Sequence, residues 1–140
     1  MVAEAAEWIA SQAGPFLAWV HLYDAHAPYD PPQPFRDQFA GRLYDGEVAY
    51  LDSCLGRLLE AARARAGSRL VVAVLADHGE GLGEHGERTH GFFVYRSTLR
   101  IPFVLSGPGI PAGKRRADPA RTADLLPTLL APLGLAVPPG

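Results

Sequence analysis

The chain has 140 residues, of which 48% are hydrophobic and 20% are charged, and its formal net charge is −2. A chain of this size can bury a core, and its charge balance excludes the basic excess typical of nucleic-acid-binding proteins. No run reaches the roughly 18 apolar residues that span a bilayer, no signal peptide is visible, and the single cysteine excludes an internal disulfide.

The first half of the sequence predicts a helix, a strand, a loop and a second helix. Residues 2–13 show apolar residues at helical spacing and are followed by Gly14-Pro15. Residues 16–22 (FLAWVHL) are continuously apolar and aromatic apart from one histidine, which is typical of a strand buried on both faces. The proline-rich residues 23–34 predict a loop, and residues 44–66 predict a long amphipathic helix that ends at Gly67.

The second half predicts two further strands and a helix. Residues 70–76 and 101–105 are the predicted strands, residues 79–91 form a glycine-rich loop, and residues 122–133 are helical in pattern. Because strands and helices alternate, we predict an α/β fold with a mostly parallel sheet flanked by helices. Sites in such sheets lie beyond the carboxyl ends of the strands, where polar residues follow the first two predicted strands.

The segment Asp77-His78-Gly79 follows directly after an apolar strand and is the strongest candidate for a metal site. A carboxylate and an imidazole are a good ligand pair for zinc or manganese, whereas calcium prefers oxygen ligands. Gly79 tolerates unusual dihedral angles and would allow the bend that turns both side chains to one ion. Taken alone, the motif favours the alternative in which Asp77 caps the following turn and His78 is an ordinary loop histidine.

Two further histidines are candidates for contacting an anionic substrate. His90 ends the glycine-rich loop, and the apolar and aromatic residues 92–95 would anchor it from behind. His26 lies in the proline-rich loop, where proline would hold a hydrogen-bond donor in position. His85 is interpreted as an exposed loop residue, and His21 as a buried structural residue.

Aromatic and cationic residues near these segments could line an anion pocket. Tyr23, Tyr29, Arg96 and Arg100 are the candidates, since arginine donates two parallel hydrogen bonds to an oxyanion. A surface position is the alternative for both arginines. The lone Cys54 lies beside the apolar stripe of the long predicted helix and is interpreted as structural.

Several segments, in order, resemble the sulfatase branch of the alkaline phosphatase superfamily. Residues 21–29 resemble the sulfatase segment that ends in a histidine, a spacer and proline-tyrosine. Residues 75–86 resemble the metal-binding Asp-His/Asn-Gly loop, and residues 89–95 and 99–103 resemble its continuation into the next strand. The opening of the long helix at residues 44–47 and the helix motif at residues 124–130 fit the same family, and the resemblance runs from about residue 16 to 140.

The resemblance implies an alkaline-phosphatase-like α/β sandwich that hydrolyses sulfate or phosphate-type esters with a divalent metal and a covalent nucleophile. It implies that Asp77 and His78 bind the metal, either calcium or, given the Asp-His pair, zinc or manganese. It implies that His26 and His90 are catalytic and contact the transferred group or the leaving oxygen. The substrate would be a small-molecule or glycan ester.

The nucleophile of the family is a formylglycine made within a Cys/Ser-x-Pro-x-Arg motif, or a threonine in the transferases. This motif is not matched here, since no proline follows Cys54 at the required spacing. We therefore expect residues 1–140 to be the later part of a sulfatase catalytic domain that is inactive alone. A phosphonate or phosphodiester hydrolase, a phosphoethanolamine-type transferase and a non-catalytic binding remnant are the alternatives. The compartment stays open, including an extracytoplasmic or membrane-associated parent.

Overall fold

The computed structural model describes residues 1–137, which belong to two compact units. One unit is formed by Met1–Gly67 and the other begins at Ser68. None of the helices described is both long and apolar enough to cross a membrane. Residues 138–140, the end of the segment that resembles the sulfatases, lie outside the described residues.

The first unit is built on two helices that pack against each other, α1 (Val2–Ser11) and α3 (Leu43–Ala66). Between them lies a one-turn helix, α2 (Phe35–Gln38), which also packs on α3. The predicted helices at residues 2–13 and 44–66 are thus confirmed within a few residues. Gly67, with a positive φ of 58°, ends α3 as the sequence predicts.

The buried side of α3 differs slightly from the predicted apolar stripe. Cys54, Leu58 and Ala62 are buried at intervals of four residues, while Val48 is 43% exposed. Near the amino end of the helix, the buried positions are Gly46 and the charged Glu47. This end of α3 therefore packs on the proline-rich loop rather than on a purely apolar surface.

Residues 16–22 are not assigned to a strand in the part of the chain that is described. Leu17 is 84% exposed, Trp19 is 78% exposed and His21 is also exposed, so the predicted burial on both faces is wrong, as is the buried role for His21. A buried strand needs neighbouring strands for its backbone hydrogen bonds, and the described residues of this unit contain no strand to pair with it.

The second unit contains a two-stranded sheet of β1 (Val72–Leu75) and β2 (Phe103–Ser106). The strands are antiparallel, with Val72 opposite Ser106 and Leu75 opposite Phe103. The predicted strands at residues 70–76 and 101–105 are confirmed in position, but the mostly parallel sheet is not confirmed. The connection between them holds only short turns and a one-turn helix, α4 (Arg96–Leu99), and returns β2 in the opposite direction.

The predicted helix at residues 122–133 is shorter than expected. A 3₁₀ turn at Thr122–Asp124 leads into α5 (Leu125–Leu130). The Asp124 carboxylate accepts the Arg121 backbone amide at 2.8 Å and the Arg121 guanidinium at 2.8 Å. Arg121 therefore directly precedes the first turn.

Candidate functional site

The candidate metal ligands lie just beyond the carboxyl end of β1. Asp77 and His78 are both exposed to solvent, and the distance between Asp77 Oδ1 and His78 Nε2 is 3.7 Å. The His78 Nδ1 lies 2.8 Å from the carbonyl oxygen of Gly79. A carbonyl only accepts, so Nδ1 carries the proton and donates it, which leaves Nε2 as the nitrogen suited to a metal.

Gly79 is needed at this position for a different reason from the one that the sequence suggests. The backbone φ angle of Gly79 is not positive, so any residue type could adopt it. Its amide donates to the Thr98 carbonyl at 2.7 Å, and a Cβ placed on it would lie 2.0 Å from the carbonyl oxygen of Ser97. Close approach of the α4 backbone, rather than an unusual dihedral angle, therefore requires glycine after His78.

His90 is brought next to these ligands by a residue that the sequence analysis missed. The centroids of the His78 and His90 rings are 3.9 Å apart. The Glu80 side chain is only 5% exposed, and its Oε1 lies 3.1 Å from His90 Nδ1. The carboxylate accepts a hydrogen bond from Nδ1 and thereby orients the ring so that Nε2 is the second donor when the ring is charged.

The aromatic segment after His90 does not hold it as predicted. Phe92 is 87% exposed and Val94 is 82% exposed, so these side chains are not packed behind the histidine. The loop is held instead by the buried Glu87, whose Oε1 accepts the backbone amides of Phe92 at 2.9 Å and Phe93 at 3.2 Å. Acidic side chains therefore shape this loop from inside.

The interpretation of His85 as an exposed loop residue is confirmed. His85 is exposed and its ring stacks on that of Tyr95, with centroids 4.0 Å apart. Arg96 and Arg100, at the two ends of α4, are also exposed. Whether Arg96 binds substrate stays a prediction.

His26 belongs to the first unit, where a second missed carboxylate holds its backbone. The side chain of Glu47 on α3 is buried, and its two oxygens accept the amide of His26 at 3.0 Å and the amide of Asp30 at 2.6 Å. Burial raises the pKa of the Glu47 carboxyl, and the hydrogen bond from the His26 amide opposes that shift.

The imidazole of His26 is also oriented by its own loop. Its Nδ1 lies 2.7 Å from the Ala27 carbonyl oxygen, so this nitrogen carries a proton. The ring of Tyr23 lies against it with centroids 4.6 Å apart, and Tyr23 Oη is 3.1 Å from Nδ1. Tyr29 contacts the ring of Tyr44 edge-on at 5.5 Å, and its predicted contact with substrate stays a prediction.

The structure thus unites Asp77, His78 and His90 in one cluster, while the convergence of His26 on that cluster stays a prediction. Among residues 1–137, no group of three or more His, Cys, Asp or Glu side chains is placed to hold a metal ion. The chemistry of the Asp77–His78 pair nevertheless fits two ligands of a divalent cation, because a carboxylate oxygen and a suitably protonated imidazole lie side by side.

Glu47 and Glu80 could have been suspected from sequence only by their position. Each stands next to a glycine in a motif already singled out, Tyr44-Asp45-Gly46-Glu47 and Asp77-His78-Gly79-Glu80. An acidic residue at the start of an amphipathic helix is, however, ordinarily interpreted as favourable for the helix dipole.

Comparison with known proteins agrees with the motif resemblance. The Sulfatase family model matches residues 1–135. A Δ4,5-hexuronate-2-O-sulfatase from Bacteroides thetaiotaomicron is 40% identical over 76 residues, which is 52% of this chain and 16% of that protein. A 2,3-bisphosphoglycerate-independent phosphoglycerate mutase from Rhodopirellula baltica is 36% identical over 92 residues, which is 66% of this chain and 16% of that protein.

A solved structure from Bacteroides thetaiotaomicron VPI-5482, classed as a sulfatase, superposes with a TM-score of 0.63 at 31% identity. The match covers 74% of this chain and 23% of that one, and it supports an alkaline-phosphatase-like α/β fold. The chain spans about a sixth of the length of the two curated relatives. By its family match, the chain belongs to the sulfatase family.

Proposed function

We propose that this chain supplies part of the catalytic site of a metal-dependent sulfuric ester hydrolase. The observation that supports this most strongly is the cluster of Asp77, His78 and His90 beyond β1, in a chain of the sulfatase family. A relative named for action on a hexuronate sulfate supports a small-molecule or glycan sulfate ester as substrate. The covalent nucleophile comes from a segment outside these 140 residues.

Asp77 and His78 hold the cation in this proposal. When bound, a divalent cation offsets negative charge on the oxygens of the transferred group. The proton on His78 Nδ1 is retained by the Gly79 carbonyl, so the imidazole offers Nε2 as a neutral ligand. Zinc or manganese suits the mixed oxygen and nitrogen donors better than calcium does.

The two histidines that contact the transferred group act as donors. His90 donates from Nε2 in its protonated form, and the buried Glu80 carboxylate supplies the negative charge that balances the imidazolium. His26 has its Nδ1 proton directed to the Ala27 carbonyl, so Nε2 is its other ring nitrogen, and it donates to an ester oxygen when the ring carries a second proton. Either residue is suited to stabilise the oxygens of the group or to protonate the leaving oxygen.

Manganese titration of the 140-residue chain, followed by NMR, tests the ligand assignment even if binding is weak. Paramagnetic Mn²⁺ should broaden the signals of Asp77 and His78 first and those of His90 next. The His78→Ala variant should lose this selective broadening, whereas His85→Ala, in the same loop, should retain it. Equal broadening in both variants would show that His78 is not a ligand.

The expectation that the chain is inactive alone has its own test. The purified chain with added Mn²⁺, Zn²⁺ or Ca²⁺ should not hydrolyse 4-nitrophenyl sulfate above the rate of the metal in buffer. Hydrolysis at an enzyme-like rate of roughly 1 s⁻¹ or more would contradict the proposal that the nucleophile lies elsewhere.

A phosphoryl-transferring enzyme of the same superfamily is the second candidate, and the phosphoglycerate mutase relative favours it. The His78 ligand is compatible with either reaction. The protein that contains the missing nucleophile decides between them when it is assayed with 4-nitrophenyl sulfate, 4-nitrophenyl phosphate and a phosphonate monoester. Preference for the sulfate ester supports the sulfatase, and preference for a phosphorus ester supports the alternative.

A further inference from the structure

We propose that Glu47 is a positioning residue for His26. The buried carboxylate fixes the loop from His26 to Asp30 on α3 and thereby sets the orientation of the imidazole. The inference rests on the proposed function, in which His26 contacts the transferred group. Glu47 acts through the loop and does not itself contact substrate.

Both oxygens of Glu47 are used by backbone amides of the same short loop. Oε2 accepts the amide of His26 at 3.0 Å, and Oε1 accepts the amide of Asp30 at 2.6 Å. A single planar carboxylate therefore binds the two ends of a five-residue segment. Hydrogen bonds to an ionised acceptor are stronger than neutral ones, so this contact restricts the backbone dihedral angles of the segment.

The orientation of the imidazole depends on the backbone that Glu47 holds. The ring donates from Nδ1 to the carbonyl oxygen of Ala27, which lies inside the fixed segment. Tyr23 packs on the ring from outside the segment. Release of the segment would therefore weaken the hydrogen bond that selects the Nδ1-protonated form of His26.

A carboxylate is the specific side chain that this arrangement needs. Glu47 is 3% exposed, and burial of an ionisable group costs free energy that an apolar side chain would not. Glutamine has the same shape but only one acceptor oxygen, so its amide group would face one of the two backbone donors. The position thus retains a buried acid whose two acceptors match the two amides.

Neighbouring residues also hold the same loop by apolar packing. The effect of the Glu47 charge can therefore be separated from the effect of packing. Pro31 is fully buried, and a Cβ placed on Gly46 would lie 2.9 Å from its Cγ. The loop therefore has an apolar contact with α3 that does not involve the carboxylate. Removal of the charge alone should loosen the His26 segment while the rest of the unit stays folded.

The experiment is NMR on the complete 140-residue chain as wild type, Glu47→Gln and the control Glu60→Gln, which makes the same change on the exposed side of α3. Amide hydrogen exchange reports on the His26 and Asp30 backbone. The ¹⁵N shifts of the His26 ring report which nitrogen carries the proton. The second readout is specific, because a purely structural role for Glu47 would leave the tautomer of the ring unchanged.

Glu47→Gln is expected to lose about tenfold or more of the exchange protection at one or both amides. Its His26 ring should shift from the Nδ1-protonated form toward a mixture, and Glu60→Gln should match the wild type in both readouts. An unchanged ring in a folded Glu47→Gln chain would overturn the proposal. Equal changes in Glu60→Gln would also overturn it, since the effect would then not be specific to Glu47.

A measurement on the wild type keeps the proposal testable if Glu47→Gln does not fold. Scalar couplings across the hydrogen bonds should join the amide nitrogens of His26 and Asp30 to the carboxylate carbon of Glu47. Absence of both couplings, together with rapid amide exchange, would refute the contact. These signals require neither metal nor hydrolysis, so failure of the proposed function would leave them unchanged and would be recognised separately.

Discussion

Gly46 and Gly56 lie on the same helix, but only Gly46 is in contact with the loop that carries His26. A Cβ placed on Gly46 would lie 2.9 Å from Pro31 Cγ and 3.2 Å from Phe39 Cβ. A Cβ placed on Gly56 would meet nothing within 4 Å. Substitution of each glycine by alanine therefore separates two effects on stability. Gly56→Ala reports the helix propensity of alanine alone, and Gly46→Ala reports in addition the packing of α3 on the loop.

The control substitution Gly56→Ala should stabilise the chain. Alanine in the interior of an exposed helix is favoured over glycine by about 0.5–1 kcal/mol. For a chain of this size, that gain corresponds to a rise in Tm of about 1–4 °C. No neighbouring side chain has to move to accommodate the new methyl group.

The same substitution at Gly46 should destabilise the chain. Two carbon atoms at 2.9 Å are closer than the optimal separation of about 3.5–4.0 Å, and the buried ring of Pro31 cannot rotate away. Overpacking of this kind costs about 1–3 kcal/mol, which exceeds the gain in helix propensity. We expect a net loss of about 0.5–2 kcal/mol in the free energy of unfolding.

Urea unfolding of the three chains, followed by far-ultraviolet circular dichroism, provides the assay. Gly56→Ala should move the transition midpoint up and Gly46→Ala should move it down, with unchanged slopes. If Gly46→Ala stabilises the chain as much as Gly56→Ala does, the close packing of α3 on Pro31 is wrong. The positions inferred for Glu47 and the His26 loop would then lose their support as well.

Three further predictions concern the second unit and the buried acid. Gly79→Ala should lower the free energy of unfolding by about 2–4 kcal/mol, because its Cβ would lie 2.0 Å from the Ser97 carbonyl oxygen. The same variant should lose the selective Mn²⁺ broadening at Asp77, and an unaffected titration would show that the contact with α4 is absent. Burial raises the pKa of Glu47 above 4.5, its usual value. Between that value and the raised pKa, the folded chain binds more protons than the unfolded chain, so the free energy of unfolding falls as pH rises through this range. The free energy of unfolding of the wild type relative to Glu47→Gln should therefore be larger at about pH 4 than at about pH 7 by urea titration, and the opposite trend would mean that the amide hydrogen bonds outweigh burial. Thr98 is buried, and its hydroxyl lies 3.1 Å from the Phe93 carbonyl oxygen and 3.0 Å from the Tyr95 carbonyl oxygen. Thr98→Val should therefore lower the free energy of unfolding by about 1 kcal/mol, and a neutral result would show that these hydrogen bonds do not stabilise the loop.

The sequence by itself determined the family and the local elements near the candidate ligands. Helix α3 was predictable because apolar residues recur at intervals of three and four over more than five turns. The position of β1 was predictable from a short apolar run, and its end was predictable from the Asp77-His78-Gly79 segment that follows the run. Several motifs in the family order indicated a sulfatase, which the family match confirms.

Only the tertiary structure decided how those motifs are held. The direction of β2, the exposure of residues 16–22 and the exposure of Phe92 depend on which chain segments become neighbours, which hydrophobic patterns do not encode. The roles of Glu47 and Glu80 depend on backbone amides and an imidazole brought to their oxygens by folding. A glutamate in sequence is usually a solvated charge, and it becomes a fixed acceptor only where packing removes water and supplies donors.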